Sequence, residues 1–471
     1  MKERMSRSIT PYSIAIVGAG FTGTMLAVHL IELTDRPLQI FLFDRAAAFG
    51  NGAAYSTPNA RHLLNVRVEN MSAYDSDPGH FVRWLDARET ARGTDSVSNP
   101  SLRTFVSRGL YGDYLRDTFE TARQKAAALA TVVNVNAEIA HLKIEGERVE
   151  LTTADGERFD VDGAMLCLGN FPPALSFDAD FSTKDSRRYI SNPWHMEAYD
   201  RIGADDSVVI FGTGLSMIDV ALELHSRHHR GRITAVSRRG FLPISHQAAT
   251  PYPSFLDKDY LPASARDALR IVRQEVAKAA ESGLNWRSVI DSLRPHTQSL
   301  WRNLPLEERR RFLRHVRPYW EIHRHRIAPV VATELDALQR SGQLAVVAGR
   351  MTGLNAGDDA FAIDIRRKGT DDIHTVRGTW LINCSGPQIA YDLIRDPLIR
   401  SLLDSGQARP DSLRLGFDVT DDYRLIGKDG AAAAALFAIG PPIRGNLWET
   451  TAVPDIRKQC ETLARQIVGL K

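Results

Sequence analysis

The segment SIAIVGAGFTGTMLAVHLIELTDRPLQIFLFD, residues 13–44, decides how the chain is read. A short apolar run from Ser13 to Val17 leads straight into Gly18, Gly20 and Gly23. Phe21 to Leu33 then carries apolar side chains at helical spacing, and a second apolar run, Ile40 to Phe43, ends in Asp44. Strand, glycine turn, helix, strand and terminal acid follow at the spacing of a βαβ unit that holds a dinucleotide. Gly18 permits the tight turn, Gly20 lets the backbone approach a pyrophosphate, and Gly23 lets the helix pack close on the strand. Phe21 and Thr22 open the helix, where free N–H groups and the helix dipole favour an anion. Asp44 is placed to accept ribose hydroxyls.

Working outward, the loop after Asp44 holds Gly50, Gly52 and Pro58 and leaves the carboxyl edge of the second strand, where nucleotides sit in open α/β sheets. Arg45 is read as lying over an adenine. Tyr55 and Asn65 either line the pocket or satisfy loop backbone. Phe81 to Leu85 and Tyr111 to Ala128 read as helices, and Thr131 to Asn136 as a strand. Glu147 to Thr153 and Glu157 to Val161 flank Asp155-Gly156, a hairpin signal. The apolar run GAMLCLG then ends at Gly169, and Pro172-Pro173 takes the chain out of the sheet.

A second unit, SVVIFGTGLSMIDVALEL, begins at Ser207. Gly212 and Gly214 match the first two glycines, but Met217 stands where the third would be. Ser216 and Asp219 partly restore the pattern. The next strand ends in Ser237-Arg238-Arg239 instead of an acid. Arginine offers a planar, always-charged partner for a 2′-phosphate, so this unit reads as binding NADPH, the alternative being two solvated arginines. The acid-terminated first site is left for FAD.

From about 245 to 332 the strand–helix alternation gives way to helices: Ala263 to Ser282, Trp286 to Leu293 and Leu306 to Val316. The stretch RRRFLRHVRPYWEIHRHRIAP is rich in arginine. A solvated face, a cap supplying cations to an anionic substrate or the NADPH phosphates, and a patch for an anionic polymer or membrane all fit it. His246, Arg324 and His325 are the candidates for orienting a substrate anion. His323 and His325 diverge on a helix, and no metal site is expected. Leu344 to Val347 and Ala360 to Arg366 return to strand patterning, and TWLINCSGP ends at Gly386 as a counterpart of the run ending at Gly169. A last strand, Leu436 to Ile439, meets the turn at Gly440, which together with Gly169, Gly386 and Trp448 is read as binding the cofactors. Past Trp448 an amphipathic helix closes the chain, with Thr450 or Thr451 as cap and Pro454 in its first turn. Its N-terminus would point at the pyrimidine end of a flavin.

The pattern predicts an α/β protein with two Rossmann-like dinucleotide-binding domains and a helical insertion. Residues 1–170 and 381–471 form the FAD domain and 171–380 the NADPH domain. At 471 residues the chain has room for both cores. A net charge of +2 gives no drive toward nucleic acid, and no apolar stretch reaches the ~18 residues of a membrane span. Met1 to Pro11 is basic without an apolar core and is expected to be a disordered lead-in, not a signal peptide. The three cysteines form no close pair, which argues for a reducing, cytoplasmic setting and against disulfide-reducing chemistry. Cys167 and Cys384 read as buried hydrophobes.

GAGFTG, FGNGAAYST with HLLNV, GTGLSMIDVA, NCSGP and GPPIRGNLWETTAVPDIR together resemble a family of bacterial FAD/NAD(P)-binding proteins. That family includes an FAD-dependent urate hydroxylase and an aspartate N-monooxygenase. The resemblance spans about Ile14 to Ile467. It implies a single-component monooxygenase in which NADPH reduces FAD, dioxygen forms a C4a-hydroperoxide, and a small polar substrate is hydroxylated. Urate or a similar heteroaromatic is the leading expectation. Amino-acid N-hydroxylation, an NADPH-dependent reductase serving a protein partner, and a flavin-binding scaffold are the alternatives.

Overall fold

The computed structural model describes residues 11–46, 49–91, 104–125, 128–174, 187–257, 260–357 and 360–469. The expected lead-in, apart from Pro11, lies outside the described residues. In chain order the first part contains β1 (Tyr12–Val17), α1 (Phe21–Leu33), β2 (Leu38–Phe43), α2 (His80–Ala91), α3 (Arg108–Lys125), β3 (Ala130–Val135), β4 (Ile139–Glu145), β5 (Arg148–Thr153), β6 (Arg158–Val161) and β7 (Gly163–Leu166). The middle contains β8 (Tyr189–Ile190), β9 (Val208–Phe211), α4 (Leu215–Ser226) and β10 (Ile233–Ser237). The helices α5 (Ala265–Glu281), α6 (Trp286–Ser292), α7 (Thr297–Asn303), α8 (Leu306–Arg311), α9 (Arg317–Arg324) and α10 (Pro329–Arg340) follow. The last part contains β11 (Leu344–Ala356), β12 (Phe361–Arg367), β13 (Ile373–Gly378), β14 (Trp380–Asn383), α11 (Pro397–Asp404), β15 (Arg424–Ile426), β16 (Ala432–Ala438) and α12 (Val453–Val468).

Two large sheets carry the molecule. The first runs β15-β16-β7-β1-β2-β3, and the second β13-β12-β11-β10-β9-β14-β8. In the first, β1 pairs in parallel with β2 and β7, and β16 with β7, so a strand more than 400 residues after β1 completes the same sheet. Its near-continuous apolar strands reflect burial on both faces. One face packs on α1, α3 and α12 through Ile14, Ile16, Leu26, Leu30, Tyr114 and Leu463. The other packs on the β4-β5-β6 sheet and α11 through Val17, Leu151, Leu166, Leu398 and Leu402. Each such side chain, taken fully out of water, contributes about 1.5–3 kcal/mol.

The second sheet has parallel β9, β10, β11 and β14, with β12 and β13 added antiparallel. Several readings are refined here. Trp380–Asn383, which a division at 381 splits and largely assigns to the first unit, pairs with β9 in the second sheet. The inserted helices end before Pro329. α10 starts there and packs its Val331, Leu335 and Leu338 into the second sheet's core as the crossover between β10 and β11. Strands β4 and β13 and helices α7 and α9 were not foreseen. All three cysteines are buried, as free thiols. Among the described residues no helix is long and apolar enough to cross a membrane, and no His, Cys, Asp and Glu cluster could hold a metal.

Candidate functional site

At the end of β1 the chain turns through Gly18, whose φ of +103° suits glycine and whose Cβ, if present, would lie 2.4 Å from the Cys167 carbonyl oxygen. A Cβ on Gly23 would lie 1.9 Å from the Gly18 oxygen, so helix and turn are in direct backbone contact. Gly20 is the N-cap of α1, with no side-chain cap and no acid in the first turn. The opening N–H groups of α1, around Phe21 and Thr22, are thus offered bare toward the carboxyl edge of the sheet. Gly440 approaches the same place from β16: a Cβ there would meet Thr22 Oγ1 at 2.9 Å. The cradle fits a diphosphate.

Asp44 is committed to the turn as well. Its Oδ2 accepts the Ala19 N–H at 3.1 Å and its Oδ1 the Ala46 N–H at 2.8 Å. Remaining lone pairs on the carboxylate can still accept ribose hydroxyls. Arg45 is exposed, with its Nη1 3.4 Å from Glu138 and 3.6 Å from Asp396. Half-buried Tyr55 packs edge-on to Tyr111 at 4.8 Å, and burial pushes its phenol up to about 12. Gly169 closes the run after β7 with φ +68°. Asn65 turns its carbonyl to His246, whose Nε2 lies 3.0 Å away. His246 also rests against Phe105, and burial holds its imidazole down to about 4.

The second turn repeats the first. Gly212 has φ +101°, with a hypothetical Cβ 2.0 Å from the Cys384 oxygen. Gly214 is an uncapped N-cap for α4, again without an acid in the first turn. Ser216 sits in that first turn. Met217, in the third-glycine place, is fully buried in the core instead. Arg238 is exposed, whereas Arg239 lies over the Tyr319 ring at 5.2 Å and donates to its hydroxyl at 3.2 Å. Gly386 ends the segment after β14, and the two exits pair where Gln388 N–H donates to the Phe171 carbonyl at 3.2 Å.

Asp219 does not serve the turn. Both its oxygens are bound by Arg108 Nη2, at 2.7 and 2.8 Å, tying α4 of the second unit to α3 of the first. His62 Nε2 reaches the Asp219 carbonyl at 3.1 Å, and Asn59 donates to Glu223 at 2.5 Å beside it. Sequence reading missed these ties because the partners are more than a hundred residues apart.

The inserted helices meet the C-terminal loop at Glu449. Its carboxylate is 3% exposed and accepts from Trp320 Nε1 at 2.6 Å and from Arg324 Nε at 3.2 Å. His325 Nε2 lies 4.0 Å away. Glu449 holds φ +64°, a left-handed conformation costing a non-glycine residue about 1–2 kcal/mol. The neighbouring Trp448 stacks on Trp301 at 4.8 Å. Neither expected threonine caps α12: Ala452 is its N-cap, without a side-chain cap, and Thr450 Oγ1 instead accepts from Gln459 at 2.6 Å. Arg324 and His325 are thus together at this junction, and His246 stands apart against Asn65. Arg294, Trp301, Trp320 and Arg444 join the junction without having been singled out; GPPIRG carried Arg444 in plain view.

Burial, then Arg324, Arg444 and Arg294, holds the His325 imidazole down to about 3. Its folded pKa lies below the ordinary value, so the unfolded chain takes up the proton first. Stability is therefore full above about pH 6.5 and falls by up to about 1.4 kcal/mol per pH unit as pH drops toward about 3. His325→Gln is expected to shallow that fall, read as urea midpoints at successive pH values. An unchanged pH dependence would contradict a neutral, half-buried imidazole at this junction.

A family model described as FAD-NAD(P)-binding matches residues 15–171. No curated protein matches the chain. Among solved structures, L-lysine 6-monooxygenase from Pseudomonas syringae superposes with a TM-score of 0.67 at 16% identity, covering 97% of this chain and 99% of its own. Ornithine N-hydroxylase from Kutzneria sp. 744, solved with reduced FAD, NADP+ and L-ornithine, gives 0.62 at 15%, covering 97% and 99%. The cadaverine monooxygenase of Erwinia amylovora, bound to FAD, gives 0.63 at 12%, covering 98% and 95%. At such identities the likeness is one of fold, and it extends over both sheets and the insertion.

Proposed function

We propose that the chain is an FAD- and NADPH-dependent monooxygenase that hydroxylates the primary amine of a small amino-acid-like substrate. The observation that carries this is the pair of uncapped, acid-free helix N-termini behind glycine turns, at Gly20 and Gly214. Two nucleotides held in one chain suit hydride transfer. The fold neighbours are named for lysine, ornithine and cadaverine, which favours an amine over the urate expected from sequence.

FAD would lie with its diphosphate on Gly20 to Gly23, beside Gly440, its ribose near Asp44 and its pyrimidine toward the N-terminus of α12. NADPH would lie on Gly212, Gly214 and Ser216 with its 2′-phosphate at Arg238 and Arg239. Reduced flavin, when bound, supplies the two electrons that divide dioxygen between product and water. The overall balance is amine, dioxygen, NADPH and a proton giving hydroxylamine, water and NADP+. The chain's own part is to hold the partners and keep water out, since water diverts the oxygen to peroxide. The inserted helices cover the C-terminal loop through the Trp301–Trp448 stack and do that work. No acid–base residue is required of the chain for oxygen transfer to a neutral amine.

A screen of FAD-loaded protein for NADPH oxidation against L-lysine, L-ornithine, L-aspartate, cadaverine and urate tests the reading. It predicts stimulation by an amine, and stimulation by urate alone would overturn the substrate class. Arg238→Glu with Arg239→Glu is expected to raise the KM for NADPH about 10- to 100-fold, the worth of one or two charge-assisted bonds, and to change that for NADH little. Equal effects on both would show that the pair does not hold the phosphate.

A further inference from the structure

Around Glu449, four guanidiniums meet three carboxylates. Arg324 is with Glu449, Arg294 with Asp455 at 3.2 Å, and Arg317 with Glu321 at 2.7 Å; among the described residues the carboxylate nearest Arg444 is that same Glu321, at 3.8 Å. With His325 neutral, the cluster is one positive charge in excess. Arg444 is 9% exposed, and its Nε has no acceptor among the described residues. Its guanidinium lies over the Trp448 ring at 4.9 Å. Trp448, 3% exposed, likewise has an unpartnered Nε1–H. Burial and the Arg317 charge hold Arg444 down to about 10, as expected of a cation short of anions.

Two buried donors left without acceptors on one stacked pair are costly, and native sites keep them for a purpose. They sit two residues to either side of Asn446, beside Trp301 and Trp320, which the inserted helices bring over the C-terminal loop. A single excess charge matches a monoanion better than a phosphate dianion. The side of a guanidinium matches a planar carboxylate.

We propose that Arg444 and Trp448 bind the carboxylate of the substrate, which makes that substrate an α-amino acid and not a diamine or a neutral heteroaromatic. This rests on the amine monooxygenase reading and narrows it. Arg324 is already engaged by Glu449, so the ligand's own partners are Arg444 and Trp448.

The test is calorimetric titration of oxidised, FAD-loaded protein with L-lysine, L-ornithine and L-aspartate, each against its α-carboxamide. The acids are expected to bind about tenfold or more tighter than the amides. Arg444→Met should erase that preference, and Trp448→Phe, which keeps an aromatic ring at the stack but removes the N–H, should reduce it several-fold. Arg310→Met, an exposed arginine on α8, should leave it intact. The proposal is overturned if the preference survives both variants, or if no acid in the panel binds. It is also overturned if Arg444→Met instead releases flavin, which would assign the pair to the cofactor. Binding without any hydroxylated product would leave the carboxylate site standing and sink the monooxygenase reading.

Discussion

Gly18→Ala is expected to yield a protein that no longer retains flavin, while Gly212→Ala should stay yellow and lose reduction by NADPH. Both glycines hold φ near +100°, where an L side chain is strained, and both lie against backbone. A methyl at 18 would meet the Cys167 carbonyl at 2.4 Å, and one at 212 the Cys384 carbonyl at 2.0 Å. Those carbonyls follow β7 and β14, which pair directly with β1 and β9, so relief requires prising neighbouring strands apart at the nucleotide edge. Strain and overpacking together cost about 2–6 kcal/mol, concentrated on the turn that cradles a diphosphate. The absorbance spectrum of each purified variant and its anaerobic reduction by NADPH separate the two sites. Loss of flavin from the 212 variant and retention in the 18 variant would reverse the assignment of nucleotides to sheets.

The second large effect is expected between the units. Asp219→Leu should destabilise the protein by about 3–5 kcal/mol, because it leaves the largely buried Arg108 guanidinium without the carboxylate that its Nη2 bridges. Most of that cost is the uncompensated charge, so the double change Arg108→Leu with Asp219→Leu should recover much of the loss. Urea unfolding of wild type, both singles and the double closes the cycle. Additive losses would mean that the pair contributes nothing as a pair. The same variants report on function: with the tie cut, reduction of bound flavin by NADPH should slow, because Arg108 and Asp219 join the helices behind the two nucleotide edges.

Much of this architecture was legible from residues 13–44 and 207–239 because a glycine turn records a backbone requirement locally. Gly18 and Gly23 each mark a place where a Cβ would collide with backbone, and that requirement is visible without the fold. Met217 shows the limit of the pattern: the place that requires glycine in the first helix holds a fully buried side chain in the second. Asp219 looked like part of the second turn by spacing alone, but its partner is Arg108, 111 residues earlier. The junction at Glu449 was still less readable. Trp448 is read from sequence as a cofactor-side residue, but Trp301 and Trp320 reach it from the inserted helices, about 150 and 130 residues earlier, and no local pattern records that approach. The threonine cap expected for α12 failed for a related reason: Thr450 is drawn inward by Gln459, a contact across the helix that no cap pattern encodes.

The central claim is that electrons from NADPH reach dioxygen through a flavin and leave one oxygen atom on an amine. Its most direct measurement is the ratio of hydroxylamine formed to NADPH consumed, with the responding amino acid and isotopically labelled dioxygen. The account predicts one labelled hydroxylamine for each NADPH, with little peroxide. NADPH consumption that ends wholly as hydrogen peroxide with every amine, or a product oxygen drawn from water, would contradict it.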